Sequence, residues 1–291
     1  MNPENSDRLG GLPRRFAKMT GAGNDFLVFQ GRVSVGPREA ETIRRLCRRG
    51  TSVGADGVLF VAPERTVGGP PRILADYYNA DGGAARFCAN GTRCAARFAF
   101  LQGEVEKEMI VATGWGLIGA TIRADGDVTL RLPEAIELGA SVDAFDPEGR
   151  LLESEATSLS VGVPHLVVFT APEVEVETLD VEELGPPLRR HPELPDGANV
   201  TFVSVREGSR LSVRSYERGV EAETLSCGSG VVAAAVVAGA RRGLEAPISV
   251  STRSGSSLVV DFAWDGGVAR DVTLTGDARL VFEGTLTDEA L

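Results

Sequence analysis

Cys88-Ala89-Asn90-Gly91-Thr92-Arg93-Cys94-Ala95-Ala96-Arg97-Phe98-Ala99 and Cys227-Gly228-Ser229-Gly230-Val231-Val232-Ala233-Ala234-Ala235-Val236-Val237-Ala238 are two versions of one pattern. The shared form is C-x-[NS]-G-x-x-[CA]-A-A-x-[FV]-A. Each copy follows a tyrosine, Tyr78 or Tyr216, by ten or eleven residues. The copies start 139 residues apart, close to half of the 291-residue chain. The match falls on rare residue types, so it predicts two related halves facing each other across a cleft. In each half the order is strand, polar loop, Cys, Gly-containing turn, Ala-rich run. An Ala-rich run apolar nearly all round predicts a buried helix, with the Cys at its N-terminus. Unsatisfied N–H groups and the positive end of the helix dipole gather there. They favour a thiolate and can hold a carboxylate.

Outward from the repeat, the chain reads as many short strands with two or three helices per half. There is no regular strand–helix alternation, which predicts an α+β class. Helices are expected at about Pro37 to Arg49, Gly91 to Phe100, Val181 to Arg190 and Gly228 to Arg242. The acidic, Gly/Pro-punctuated stretch Glu134 to Glu155 is the expected boundary. It divides the chain into a half over 14–145 with the first Cys and a half over 146–291 with the second. Residues 1–13 have no apolar core and read as a frayed tail, not a signal peptide.

Composition narrows the chemistry. The net charge of −11 repels nucleic-acid backbones and anionic membranes, so neither is an expected partner. Arg44, Arg45, Arg48 and Arg49 read as a solvated helix face. The most apolar run, Val231 to Ala240, is too short to span a bilayer. Four Cys make no disulfide framework, and a cytoplasmic protein with reduced thiols is expected. With two His and two Lys, a His-rich metal site or an internal Schiff-base Lys is not expected. Cys88 and Cys227 are the repeated pair. Cys47 has no repeat partner and Cys94 matches Ala233, so both read as structural.

Two thiols on opposite walls of a cleft can invert a stereocentre. One thiolate removes a proton from a carbon and the other thiol protonates the opposite face. Helix N-termini stabilise the charge that develops on an adjoining carboxylate. No cofactor is needed.

These residues carry a resemblance. The sequence resembles the diaminopimelate epimerase family in Gly21-Ala22-Gly23-Asn24-Asp25-Phe26, Gly54-Ala55-Asp56-Gly57, Asn79-Ala80-Asp81-Gly82, the two Cys motifs, Pro164-His165, Asn199-Val200 and Glu217-Arg218-Gly219. The motifs run in family order from about Phe16 to Phe282. The resemblance implies two pseudo-symmetric halves, each a mixed or antiparallel barrel-like sheet around a central helix, with the active site in the cleft between them. It implies a cofactor-independent isomerase of lysine and peptidoglycan-precursor biosynthesis, acting on LL-2,6-diaminopimelate to give the meso form, and a homodimer. It implies Cys88 and Cys227 as acid/base thiols. Ala89, Asn90, Gly228 and Ser229 then hold the reacting α-carboxylate. Asn24, Asn79, Asn199 and Arg218 hold the distal end, and His165 and Glu217 contact the reacting amino group or tune the thiols. A proline-racemase-like epimerase, a redox protein using the Cys pair and a non-catalytic anion-binding module are the alternatives. The chain departs from the family pattern at Val163, usually Asn; Ala89, often Gly; Gly57, often Gln; and Ser229, often Thr.

Overall fold

The computed structural model describes residues 7–64, 68–133 and 135–291. The chain divides into two compact units, Met1–Leu130 with Asp277–Leu291, and Arg131–Gly276. The last strand, Arg279–Thr285, thus returns to the first unit, where it pairs antiparallel with Arg15–Gly21. Among the described residues there are four α-helices: α1 (Pro37–Leu46), α2 (Ala89–Leu101), α3 (Val181–Arg189) and α4 (Gly228–Arg242).

In the first unit, Arg15–Gly21 pairs antiparallel with Asn24–Gln30, which pairs in parallel with Gly57–Glu64 across α1. Gly57–Glu64 pairs antiparallel with Arg72–Asn79. That strand takes Ala84–Ala85 antiparallel and, past α2, Glu108–Ala112 in parallel. Leu117–Ile122 closes the series antiparallel. Helix α2 touches six of these strands as well as Arg279–Thr285, so the sheet wraps it like a barrel around a core rod. Its small side chains allow this: Ala95, Ala96 and Ala99 are buried, and only a thin helix fits there.

The second unit repeats the same order. Leu151–Ser160 pairs antiparallel with Pro164–Phe169, which pairs in parallel with Asn199–Arg206 across α3. Asn199–Arg206 pairs antiparallel with Arg210–Glu217. Arg210–Glu217 takes Ala222–Thr224 antiparallel and, past α4, Ile248–Ser251 in parallel. Ser257–Asp265 and Val268–Gly276 continue antiparallel. Helix α4 is buried at Gly228 and from Gly230 to Ala238, enclosed by its sheet as α2 is by its own.

The registers turn the twelve-residue repeat into a residue-by-residue correspondence. Phe26 opposes Gly57 and Val58 opposes Tyr78 in one unit; His165 opposes Asn199 and Val200 opposes Tyr216 in the other. Phe26 therefore answers to His165, Gly57 to Asn199, and Asn79 to Glu217.

Two expectations differ from the observed fold. Residues 1–6 lie outside the described residues, but Arg8–Leu9 and Leu12–Pro13 pair as a small hairpin, and Leu12 is fully buried. Leu12 packs with Phe16, Phe29, Ile43 and Leu286, so apolar burial ties down a segment whose composition read as a frayed tail. The expected boundary stretch lies inside the second unit as a pair of strands: Ile136–Phe145 pairs antiparallel with Leu151–Ser160. Its burial alternates over Val142 and Ala144, the period-2 pattern of a strand with one covered face. Glu137 and Asp143 lie on the other, exposed face. Glu134 lies outside the described residues.

Candidate active site

Helix α2 begins at Ala89, two residues before the expected Gly91. Cys88 is its N-cap, with extended backbone, and its Sγ accepts from the Gly91 N–H at 3.4 Å. Helix α4 has Cys227 as its N-cap, also extended, with Sγ 3.5 Å from Ser229 Oγ. Neither helix carries an acidic residue in its first turn, so nothing competes with an anion for the positive helix end. Asn90 and Gly91 lie in the first turn of the helix. Ala89 opens the helix and is not among the residues of positive φ.

The sheet lies close to the first turn of each helix, and at Gly230 only the absence of a Cβ allows it. A Cβ on Gly91 would lie 3.6 Å from both Cys88 Cβ and Phe26 Cε1. A Cβ on Gly230 would meet Thr201 Oγ1 at 2.6 Å and Cys227 Cβ at 3.3 Å. The surroundings of the two helix starts thus differ: aromatic and aliphatic beside Cys88, hydroxylic beside Cys227, with Thr201 Oγ1 3.2 Å from Ser215 Oγ.

Of the expected residues in the first unit, Cys88, Ala89, Asn90 and Asn24 come together. Asn90 Nδ2 donates to Asn24 Oδ1 at 2.6 Å, and Asn24 Nδ2 donates to Asp56 Oδ2 at 3.0 Å. Asn79 ends its strand exposed, its N–H donating to Gly83 O and its carbonyl accepting from Gly82 N. In the second unit, Asn199 Oδ1 accepts from the Arg218 N–H at 2.8 Å. The Arg218 guanidinium donates to Asp196 O at 2.8 Å. Glu217 Oε1 accepts from Thr224 Oγ1 at 2.5 Å. His165 is completely buried and neither ring nitrogen meets a protein hydrogen-bond partner. Burial pushes its imidazole down to about 3, with the Arg218 charge adding to the effect. It is neutral at physiological pH.

Cys47 and Cys94 are inert by environment. Burial pushes Cys47 up to about 12 and raises fully buried Cys94 as well.

Sequence reasoning left out several polar groups beneath Asn24. Asp25 and Asp56 share Arg49, and Lys18 Nζ lies 2.6 Å from Asp25 Oδ2. Burial opposes ionisation of Asp25, but hydrogen bonds from Arg49 and Lys18 outweigh it and hold its carboxyl below the usual range. Arg93, fully buried, donates to Asn90 Oδ1 at 2.8 Å. The signal that could have found these groups lay inside the quoted motifs, where Arg93 stands opposite Val232 and Asp56 precedes Gly57.

The sequence profile described as diaminopimelate epimerase matches residues 16–136 and 157–281, both units. The chain belongs to the diaminopimelate epimerase family. Relatives of that name include those of Aquifex aeolicus, 36% identical over 95% of this chain and 99% of theirs, and Methanothrix thermoacetophila, 37% identical over 95% and 97%. Members of a diaminopimelate epimerase family are isomerases by reaction class. Among solved structures, a probable proline racemase from Agrobacterium radiobacter is similar with a TM-score of 0.67 at 18% identity, covering 94% of this chain and 92% of its own. A phenazine biosynthesis protein of the PhzF family from Bacillus anthracis is similar with a TM-score of 0.66 at 14% identity, covering 94% and 98%. At those identities the likeness shows a shared fold.

Proposed function

We propose that this member of the diaminopimelate epimerase family interconverts LL- and meso-2,6-diaminopimelate, with Cys88 and Cys227 as the proton-transferring pair. The observation that carries the reading is the family match across both units, joined to a cysteine at the equivalent helix N-cap in each. One thiolate takes the α-proton and the other thiol returns a proton to the opposite face of the same carbon. First-turn N–H groups at Ala89, Asn90, Gly228 and Ser229 bind the α-carboxylate and stabilise the charge that builds on it. Arg218 suits a distal carboxylate, being a permanent cation with a planar fork of donors. Asn24, Asn79, Asn199 and Glu217 suit the remaining polar groups of a substrate with two zwitterionic ends. Neutral His165, opposite Asn199 in its strand pair, suits an ammonium as a hydrogen-bond acceptor that adds no charge.

Lysine-precursor biosynthesis and a cytoplasmic location belong to the same reading. Among the described residues no helix is long and apolar enough to cross a membrane. A homodimer is also part of it. The strand Arg279–Thr285 exposes Leu280, Val281 and Phe282 in succession, an apolar run suited to a second copy. Val281→Glu is then expected to turn a dimer into a monomer in light scattering; a monomeric parent protein would contradict that part.

The substrate is tested by offering LL-diaminopimelate and L-proline in deuterated water. Deuterium at the α-carbon of diaminopimelate is expected. Deuterium entering only proline would overturn the reading in favour of a proline-racemase-like enzyme.

A further inference from the structure

Arg93 has no role in the chemistry above, yet it is a guanidinium buried to the last atom. Desolvating such a charge is costly even after relaxation. Its return is small. Nε donates to Asp277 O at 3.2 Å, one terminal nitrogen donates to Asn90 Oδ1 at 2.8 Å, and the other terminal nitrogen meets no acceptor. The second unit does without it. At the same place on α4 stands Val232, also fully buried.

The groups beyond Arg93 form a line with one direction. Arg93 can only donate, so Asn90 must turn its Oδ1 toward it. Asn90 Nδ2 then donates to Asn24 Oδ1 at 2.6 Å, which leaves Asn24 Nδ2 to donate to Asp56 Oδ2 at 3.0 Å. Asp56 can only accept when ionised, and Arg49 lies 2.8 Å from its other oxygen. A flipped Asn24 amide would set its oxygen against a carboxylate. A flipped Asn90 amide would set its NH2 against a guanidinium. A donor-only group at one end and an acceptor-only group at the other thus define both amides. The second unit lacks the device: the positions answering to Arg93, Asn90, Asn24 and Asp56 are Val232, Ser229, Val163 and Ala198.

We propose that Arg93 is a positioning residue that, through the chain Asn90, Asn24, Asp56, locks the side-chain amide of Asn24 so that its remaining N–H faces a carboxylate of the substrate. This rests on the reading of Asn24 and Asn90 as substrate-binding. Arg93 itself touches no substrate. It converts two amides that could face either way into one fixed pattern of donor and acceptor.

The test uses the full-length enzyme with Arg93→Met, Arg93→Lys, Asp56→Asn and the Arg93→Met/Asp56→Asn pair. Two readouts are taken. The first is hydrogen exchange of the Asn24 and Asn90 side-chain amides by NMR without substrate, assigned with Asn24→Asp and Asn90→Asp. Arg93→Met is expected to speed exchange at both amides, including Asn24, which Arg93 does not touch. The second is steady-state kinetics with diaminopimelate. Loss of one oriented bond to a charged group predicts a KM raised about tenfold, with kcat changed less than about threefold. Arg93→Lys, which keeps a cationic donor, is expected to recover part of the KM. The paired variant is expected to be no worse than the worse single one, because both act through one chain. Asp56 is partly exposed and Asp56→Asn preserves its size, so that variant carries the test if Arg93→Met does not fold. Unchanged Asn24 exchange, or KM effects that multiply, would overturn the proposal. A parent enzyme inactive on diaminopimelate would overturn the functional reading instead, and the amide exchange would still decide the chain.

Discussion

His165 makes the folded protein sensitive to acid in a way that can be isolated. Its imidazole is pushed from 6.5 down to about 3 by complete burial, with the charge of Arg218 adding to the effect. The unfolded chain therefore binds a proton at mildly acid pH that the native state refuses. Stability must fall as pH drops below the unfolded value and keep falling until the folded value is reached. Each pH unit in that window costs about 1.4 kcal/mol. Between pH 7 and pH 5 the expected loss from this one group is about 2 kcal/mol. Phe26 occupies the corresponding place in the first unit, so His165→Phe removes the titrating group while keeping an aromatic ring at that sheet position. Urea unfolding at the two pH values would be followed through Trp264 in a Trp115→Phe background, which leaves the fluorophore of the second unit alone. The parent should lose about 2 kcal/mol more than His165→Phe between pH 7 and pH 5, the carboxylates common to both cancelling. Equal losses in the two proteins would refute the assignment of a buried, neutral His165.

Packing and charge supply two further expectations for the second unit. A Cβ on Gly185 would lie 2.4 Å from Cγ of the buried Tyr216 ring, so Gly185→Ala should lower stability by about 1–3 kcal/mol in urea titrations; an unchanged midpoint would show that α3 can slide. Glu223, its side chain 1% exposed, is gripped by Arg214 at 2.6 and 2.7 Å, with Arg253 as a second partner. Glu223→Ala should cost about 3–5 kcal/mol, because it leaves Arg214 buried without its counter-charge; a loss near that of a surface pair, below about 1 kcal/mol, would contradict this.

The division into two related halves was legible because the repeat kept its cysteines, glycines and alanines, the residues that a thin buried helix with a functional N-cap requires. The rest of the correspondence was not. Phe26 and His165, or Gly57 and Asn199, share a place in the sheet but no chemistry, and only the strand registers align them. Gly57 shows why its neighbourhood could not be read locally: a Cβ there would lie 2.6 Å from the Tyr77 ring, twenty residues on. The unit boundary was misplaced for a similar reason. Charge and Pro/Gly content marked Glu134 to Glu155 as the boundary, whereas cross-strand pairing with one covered face makes Ile136–Phe145 and Leu151–Ser160 a hairpin of the second unit. The return of Arg279–Thr285 to the first unit has no local signature at all. In the site, the cysteines and asparagines stood out by motif. Arg93 did not, because its meaning lies in what its repeat partner lacks.

Cys88 and Cys227 are proposed each to transfer a proton at one carbon. The most direct test of this is α-hydrogen exchange of LL-diaminopimelate in deuterated water, comparing the parent with Cys88→Ser and Cys227→Ser, each checked for folding by circular dichroism. The parent should yield meso product carrying solvent deuterium at the inverted centre. Each serine variant should lose turnover almost completely while staying folded, since a hydroxyl is a far weaker acid than a thiol. Epimerisation at near-parent rates by both folded variants would contradict the account.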